Sequence, residues 1–240
     1  TAALLEDYDV IPTPMASWSS NVVLNEYGRV VTQTALFRGT SMIAFDPIAA
    51  ERVARNASAT IERLAYNALV ASGGITNSGS AGGAVTDVTV AGKPSDTFRA
   101  ALQSFKTNNV EPLSNGRYLA VVSPAAENAL RKETDAAGWR YWQANSDQID
   151  AIRNGYVGTY EGFDVVVSNI TGLSSLGGLF LGKDALAKGV SAAPGFSAMP
   201  QIEVSPVVDR LRRFTSVGWY WLGGYARFRA EAVLSGNPAS

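Results

Sequence analysis

The apolar positions of this chain change their period several times, and each change marks an element. Residues 14 to 45 read as strand and turn. The runs Val22-Val23-Leu24 and Val30-Val31-Thr32-Gln33-Thr34 flank a Tyr27-Gly28 pair, and the stretch before them is broken by Pro and Ser. An extended arm or loop feeding a strand is expected there. From Asp46 the period becomes helical, with Ile48, Val53, Ala57, Ile61, Leu64, Ala68 and Leu69 on one face until Gly73-Gly74. Asp46 is expected to N-cap this helix, with Pro47 in its first position. At 1.5 Å per residue it spans nearly 40 Å, beyond the ~10–14 residues of an average helix. Glu51 and Arg55 sit at the i,i+4 spacing that supports its wet face.

Ser72 to Ala91 is small, polar and glycine-rich, but neither phosphate-loop spacing is present, so a flexible connection is expected. From Pro94 helices and strands alternate. Ser95 or Asp96 is expected to cap a helix bearing Phe98, Ala101, Leu102 and Phe105, ended by Asn108-Asn109. Tyr118 to Val122 predicts a short buried strand, Ser123-Pro124 a helix start with Ala126, Ala129 and Leu130 inward, and Tyr160-Glu161-Gly162 a hairpin turn into Phe163 to Val167. Leu179 to Leu181 is a further strand. The last 40 residues are strand-rich. Ile202 to Val208 alternates, and two runs, Val217 to Leu222 and Tyr225 to Val233, surround Gly223-Gly224. In the second run Arg227, Arg229 and Glu231 are expected on a wet face.

Composition narrows the chemistry. The chain has 240 residues, 46% apolar and 17% charged, so it can bury roughly three quarters of its unfolded surface as one large or two small domains. It has no His and no Cys. That excludes a Cys/His zinc site, a disulfide, a Cys nucleophile and a Ser-His-Asp triad, and no cofactor is expected. No apolar run approaches the ~18 residues of a membrane span, and Thr1 to Leu5 lacks the basic start of a signal peptide.

The candidate sites are sparse. Arg210, Arg212 and Arg213 form the one dense basic cluster, suited to phosphate contact or to an intersubunit salt bridge. The formal net charge of -1 argues against a dedicated nucleic-acid binder. Trp139, Tyr141 and Trp142, and likewise Trp219 and Trp221, suit either the core or a subunit interface. Glu161 with Asp164, and Asp147 with Asp150, are the nearest approach to paired carboxylates. They have no flanking signature and read as surface acids. No metal or catalytic residue is assigned.

Taken in order, several blocks resemble the major capsid proteins of tailed double-stranded DNA phages, with the fold first defined in phage Hong Kong 97, and among them the N-four-type coat family. Glu26-Tyr27-Gly28 with Val30 to Thr34 is similar to the strand leading into that family's spine helix. Phe45-Asp46-Pro47 with Glu51 to Ala71 is similar to the helix itself. Phe105 to Asn109, Gly116 to Pro124, Gly162 to Ser168, Leu181 to Ala185 and Val217-Gly218-Trp219 follow in the family's order.

The resemblance implies an α+β fold. Residues 1–45 would be the remainder of an extended loop and its lead-in strand, 46–93 the spine helix of a peripheral domain and a connection, 94–200 an inserted axial domain, and 201–240 closing peripheral strands. It also implies a structural, non-enzymatic subunit that forms the hexamers and pentamers of an icosahedral head around packaged DNA, assembled in the host cytoplasm. Portal, scaffolding and decoration proteins would be its other partners, with no membrane involved. Relatives usually carry an N-terminal arm and an outgoing loop strand ahead of the region matched by Thr1 to Ser20, so a truncated or processed chain is expected. Some relatives cross-link through a loop lysine, whereas the first lysine here is Lys93. The alternatives are a bacterial nanocompartment shell of the same fold, a carboxylate-dependent enzyme using Glu161 and Asp164, and a nucleic-acid-binding module using the arginine cluster.

Overall fold

A computed structural model gives the architecture. It describes residues 21–41, 45–70, 86–90, 93–133, 156–170, 172–173, 177–191, 195–205 and 213–237. The resulting order is β1 (Asn25–Thr34), α1 (Ala35–Thr40), α2 (Phe45–Val70), β2 (Thr86–Asp87), α3 (Pro94–Thr107), β3 (Tyr118–Val122) and α4 (Pro124–Lys132). There follow β4 (Tyr156–Tyr160), β5 (Phe163–Val167), β6 (Gly178–Leu181), β7 (Leu186–Val190), β8 (Gln201–Ser205), β9 (Phe214–Arg227) and β10 (Val233–Gly236).

Two sheets organise these elements. In the first, β9 pairs antiparallel with β1 along one edge, and with β8 and then β7 along the other. The second has the order β2-β10-β6-β3-β5-β4. Helix α2 serves both. Val53 and Ala57 pack with Val217, Trp219 and Trp221 of β9, while Tyr66 and Leu69 join the core beneath the second sheet. The long helix is therefore held by two separate apolar contacts, more than isolated helix propensity could supply.

The second core is aromatic. Phe98 meets Tyr160, Phe163 and Phe180 edge-on at ring separations of 5.2, 5.7 and 5.0 Å, and Phe105 stacks on Tyr118 at 4.8 Å. Perpendicular rings match quadrupole edge to face and contribute about 0.5–1.5 kcal/mol per pair beyond burial. Helix α4 starts as its sequence predicts, with Ser123 Oγ accepting from the Ala126 N–H and Ala126 and Leu130 buried. The β4–β5 turn also forms as expected, with Glu161 and Gly162 at φ 46° and 84°, the left-handed pair a tight hairpin requires.

Several expectations are corrected. A short helix, α1, follows β1 where only turn was expected, its first turn capped by Thr34 Oγ1 accepting from the Phe37 N–H. Helix α2 begins at Phe45, so Asp46 lies inside its first turn and not at the cap. Ile48, expected on the apolar face, is exposed. At α3 neither Ser95 nor Asp96 caps. Lys93 holds the N-cap position without a side-chain bond, and Pro94 takes the first turn. The buried Ser95 instead donates its hydroxyl to Glu133 Oε1 at 2.6 Å and its N–H to Oε2 at 3.2 Å. A carboxylate 38 positions away thus neutralises the helix N-terminus. The connection after α2 contains β2, which pairs with β10, and the loop after β6 contains β7.

The two runs on either side of Gly223-Gly224 are continuous across the glycine pair. β9 runs straight through it for 14 residues. A Cβ on Gly223 would strike the Trp221 ring, and one on Gly224 the Val23 carbonyl. The glycines make room for close neighbours, as glycine in a strand interior often does. The expected wet face after them is also revised. Arg227 is 3% exposed opposite Leu186, and residues 230–232 form a 3-10 turn between the two sheets.

Candidate assembly surface

The first sheet has a covered and an open side, and its register assigns them. Val31, Val217 and Val204 share one position across the sheet, and Arg29, Trp219 and Ile202 the next on the same face. That face meets α2. Trp219 and Trp221 are 3% and 1% exposed there. Trp219 Nε1 donates to Asn56 Oδ1 at 3.1 Å, Trp221 stacks on Tyr27 at 6.0 Å, and Lys188 Nζ lies 5.8 Å from the Trp221 ring centre. Core and interface were both admissible for these tryptophans, and they lie in the chain's own core.

The opposite face, with Val30 over Gly218, is open. Val30 is 62% exposed, and Phe196 stands beside Tyr220 at a ring separation of 5.9 Å. On the edge strand β8, Ile202 and Val204 are exposed although their position faces α2. Val23, Leu36 and Met199 add further exposed apolar groups near 70%. Among the described residues β8 has no strand partner on its outer side, and a strand edge of this kind with apolar side chains is a template for another chain, which soluble monomers normally blunt.

Charge is distributed unevenly. Arg55, Arg99, Arg117, Arg131 and Arg229 each meet a carboxylate within 3.4 Å. Lys183 bonds Glu111 at 2.5 Å, which holds the Glu111 carboxyl below its usual range and the Lys183 ammonium above its own. By contrast, Arg29, Arg52 and Arg63 have no ion pair or side-chain hydrogen bond among the described residues. Arg29 and Arg52, with Asn56, line a hollow of about 230 Å³ between β1 and α2. Next to it, sharing Asn56, lies a hollow of about 440 Å³ lined by Thr60, Glu62, Arg63, Ser168 and Asn169.

The anticipated site residues fare differently. Arg213 is exposed, its guanidinium 5.5 Å from the Phe214 ring centre. Arg210, Arg212, Trp139, Tyr141, Trp142, Asp147 and Asp150 lie outside the described residues. Glu161 accepts from Arg99 Nε and Nη2 at 3.3 and 3.2 Å, and Asp164 from Arg117 Nη1 at 3.3 Å and from Asn115. Each carboxylate is held by its own arginine, and nothing in this arrangement prepares an acid and a base to share a substrate. Among the described residues no acidic cluster could hold a metal ion, and no helix is long and apolar enough to cross a membrane. The unpaired arginines were missed because only the fold brings β1 beside α2.

Comparison with known proteins agrees with this architecture. Among curated proteins none matches the sequence. Solved structures do match. The capsid of Ralstonia phage GP4 is 17% identical with a TM-score of 0.66 over 90% of this chain and 73% of that one. The capsid subunit of cyanophage Pam1 is 13% identical with a TM-score of 0.67 over 98% and 81%. The head of Helicobacter pylori bacteriophage KHP40 is 14% identical with a TM-score of 0.64 over 91% and 76%. At these identities the likeness establishes the fold, an α+β fold shared with phage capsids. The family model described as phage capsid protein matches residues 24–234. The chain therefore belongs to the phage capsid protein family, as a structural, non-enzymatic protein that assembles with copies of itself into the shell of the phage head.

Proposed function

We propose that this is the major capsid subunit of a tailed phage, closing as hexamers and pentamers into an icosahedral head around double-stranded DNA. The family match over residues 24–234 carries the reading, and it favours a DNA-filled head over a nanocompartment shell. The open edge and face of the first sheet, with Val30, Ile202 and Val204, meet neighbouring copies. Sheet membership supports a division of labour. The spine helix with the first sheet forms the peripheral unit, and residues 94–200, most of whose strands lie in the second sheet, form the axial unit. β7 and β10 are the strands by which each unit enters the other's sheet region. Trp139, Tyr141 and Trp142 add interface area. Arg210, Arg212 and Arg213 face DNA or a neighbouring subunit. Portal, scaffolding and decoration proteins complete the particle.

Negative-stain microscopy of the purified chain tests the reading. Closed shells of uniform diameter are the expected result, and a homogeneous monomer under all assembly conditions would overturn it.

A further inference from the structure

Arg52, Asn56, Ala59 and Arg63 fall at offsets of zero, four, seven and eleven along α2, so they form one stripe down a single helix face. Eleven residues place the two arginines roughly 16 Å apart along the axis. Arg29 reaches the same stripe from β1, where its register position opposite Trp219 puts it on the α2 side. Two hollows that share Asn56 as a lining residue form the groove along which the three cations lie.

The contrast with the rest of the surface is what makes the groove informative. Five other arginines are neutralised by carboxylates, in a chain whose formal charges nearly cancel. Arg29, Arg52 and Arg63 make no ion pair among the described residues, and the phosphates of a polyanion would supply one for each. The single acid in the groove, Glu62, accepts from Ser168 Oγ at 2.6 Å. Asn56 and Thr60, with Ser168 and Asn169 across the gap, supply further polar atoms. Arginine with amide and hydroxyl groups is the side-chain set that contacts phosphate oxygens without reading bases.

We infer that the Arg29–Arg52–Arg63 groove between β1 and α2 binds the phosphodiester backbone of duplex DNA, without sequence preference. This rests on the reading of the chain as a subunit of a DNA-filled head.

The test is fluorescence anisotropy of a labelled 20-base-pair duplex against the purified chain over a salt series, for two unrelated sequences. Each phosphate contact adds about 0.9 to the slope of log K against log salt. The triple variant R29Q/R52Q/R63Q should lower that slope by about 2.7 for both duplexes. R29K/R52K/R63K, which retains the charges, should keep it. If the glutamine triple loses its cooperative thermal melt, the single variants R52Q and R63Q are read instead, each expected to lower the slope by about 0.9. An unchanged slope in folded variants overturns the inference. So does a wild-type affinity abolished equally by free inorganic phosphate and by duplex at matched ionic strength, which would mark a small-anion site. Microscopy of the same variants separates the two claims. Normal shells with an unchanged slope sink the DNA groove and leave the capsid reading intact, whereas absent shells in the wild type sink the capsid reading.

Discussion

Asn56 on α2 accepts a hydrogen bond from the indole of Trp219 on β9 at 3.1 Å, joining two elements 163 positions apart. The bond fixes the rotation of the helix over the sheet, because only one face of α2 can place an amide there. Asn56→Ala leaves the indole N–H in a largely dry site without an acceptor, at a cost of about 1–3 kcal/mol. A chain of this size should then melt lower by about 2–4 °C per kcal/mol. Calorimetry checks it, and an unchanged melt would mean that the indole finds another partner.

Glu133 does for α3 what no residue of its own N-terminus does. Removing the carboxylate with Glu133→Ala exposes the first-turn N–H groups and should cost about 1–2 kcal/mol, the range found for lost N-caps. Glu133→Gln keeps an acceptor and should cost less. Urea denaturation of both variants separates charge from geometry.

Gly224 lies beneath the Val23 carbonyl, in contact too close for any side chain. Gly224→Ala forces residues 22–24 off β9, at an expected cost of about 1–3 kcal/mol for overpacking. Limited proteolysis should show faster cleavage near Val22 to Leu24 than in Gly39→Ala, since a Cβ at Gly39 meets nothing within 4 Å.

Val204 and Val30 are exposed on the sheet proposed to meet neighbouring copies. Val204→Asp should leave the monomer's melt within about 0.5 kcal/mol of wild type, as surface changes do. It should also block assembly, because a desolvated unpaired charge is costly in an interface. Sedimentation velocity distinguishes a folded monomer from shells. Normal shells would remove β8 from the interface.

Burial raises the Tyr160 hydroxyl well above the ordinary tyrosine value, with the nearby carboxylates of Glu133 and Glu161 as lesser causes. Tyr66 and Tyr225 shift the same way through burial. The neutral form is favoured in the folded chain, so the unfolded state gives up its proton first. This contribution to stability is fully present below pH ~10 and declines as the pH rises from there toward the folded value. Tyr160→Phe should flatten that decline in alkaline denaturation. Equal pH slopes for wild type and variant would show that the hydroxyl is freely ionisable.

Much of this fold is written in local patterns. α2, α3, α4, β3 and the β4–β5 hairpin follow from apolar period, from Pro94 and Pro124 at helix starts, and from Gly162 at the turn. The errors cluster where a distant neighbour decides. Gly223-Gly224 separates two apolar runs in the sequence, and only the fold shows Val23 and the Trp221 ring occupying the missing side-chain space. Arg227 looks exposed until β7 places Leu186 beside it. Ser95 looks like a cap until Glu133 arrives from beyond α4. The groove arginines are unremarkable in sequence because Arg29 belongs to a strand and the other two to a helix.

β9 pairs Gly223 with Asn25, roughly two hundred residues earlier in the chain, and the same strand holds β7 and β8. During synthesis β1 therefore waits without a partner until β9 has left the ribosome, while the local helices and the hairpin can already settle. The surface offered to neighbouring copies depends on that late pairing. A chain stalled before residue 214 has no first sheet, and so lacks the edge and face proposed to meet neighbouring copies.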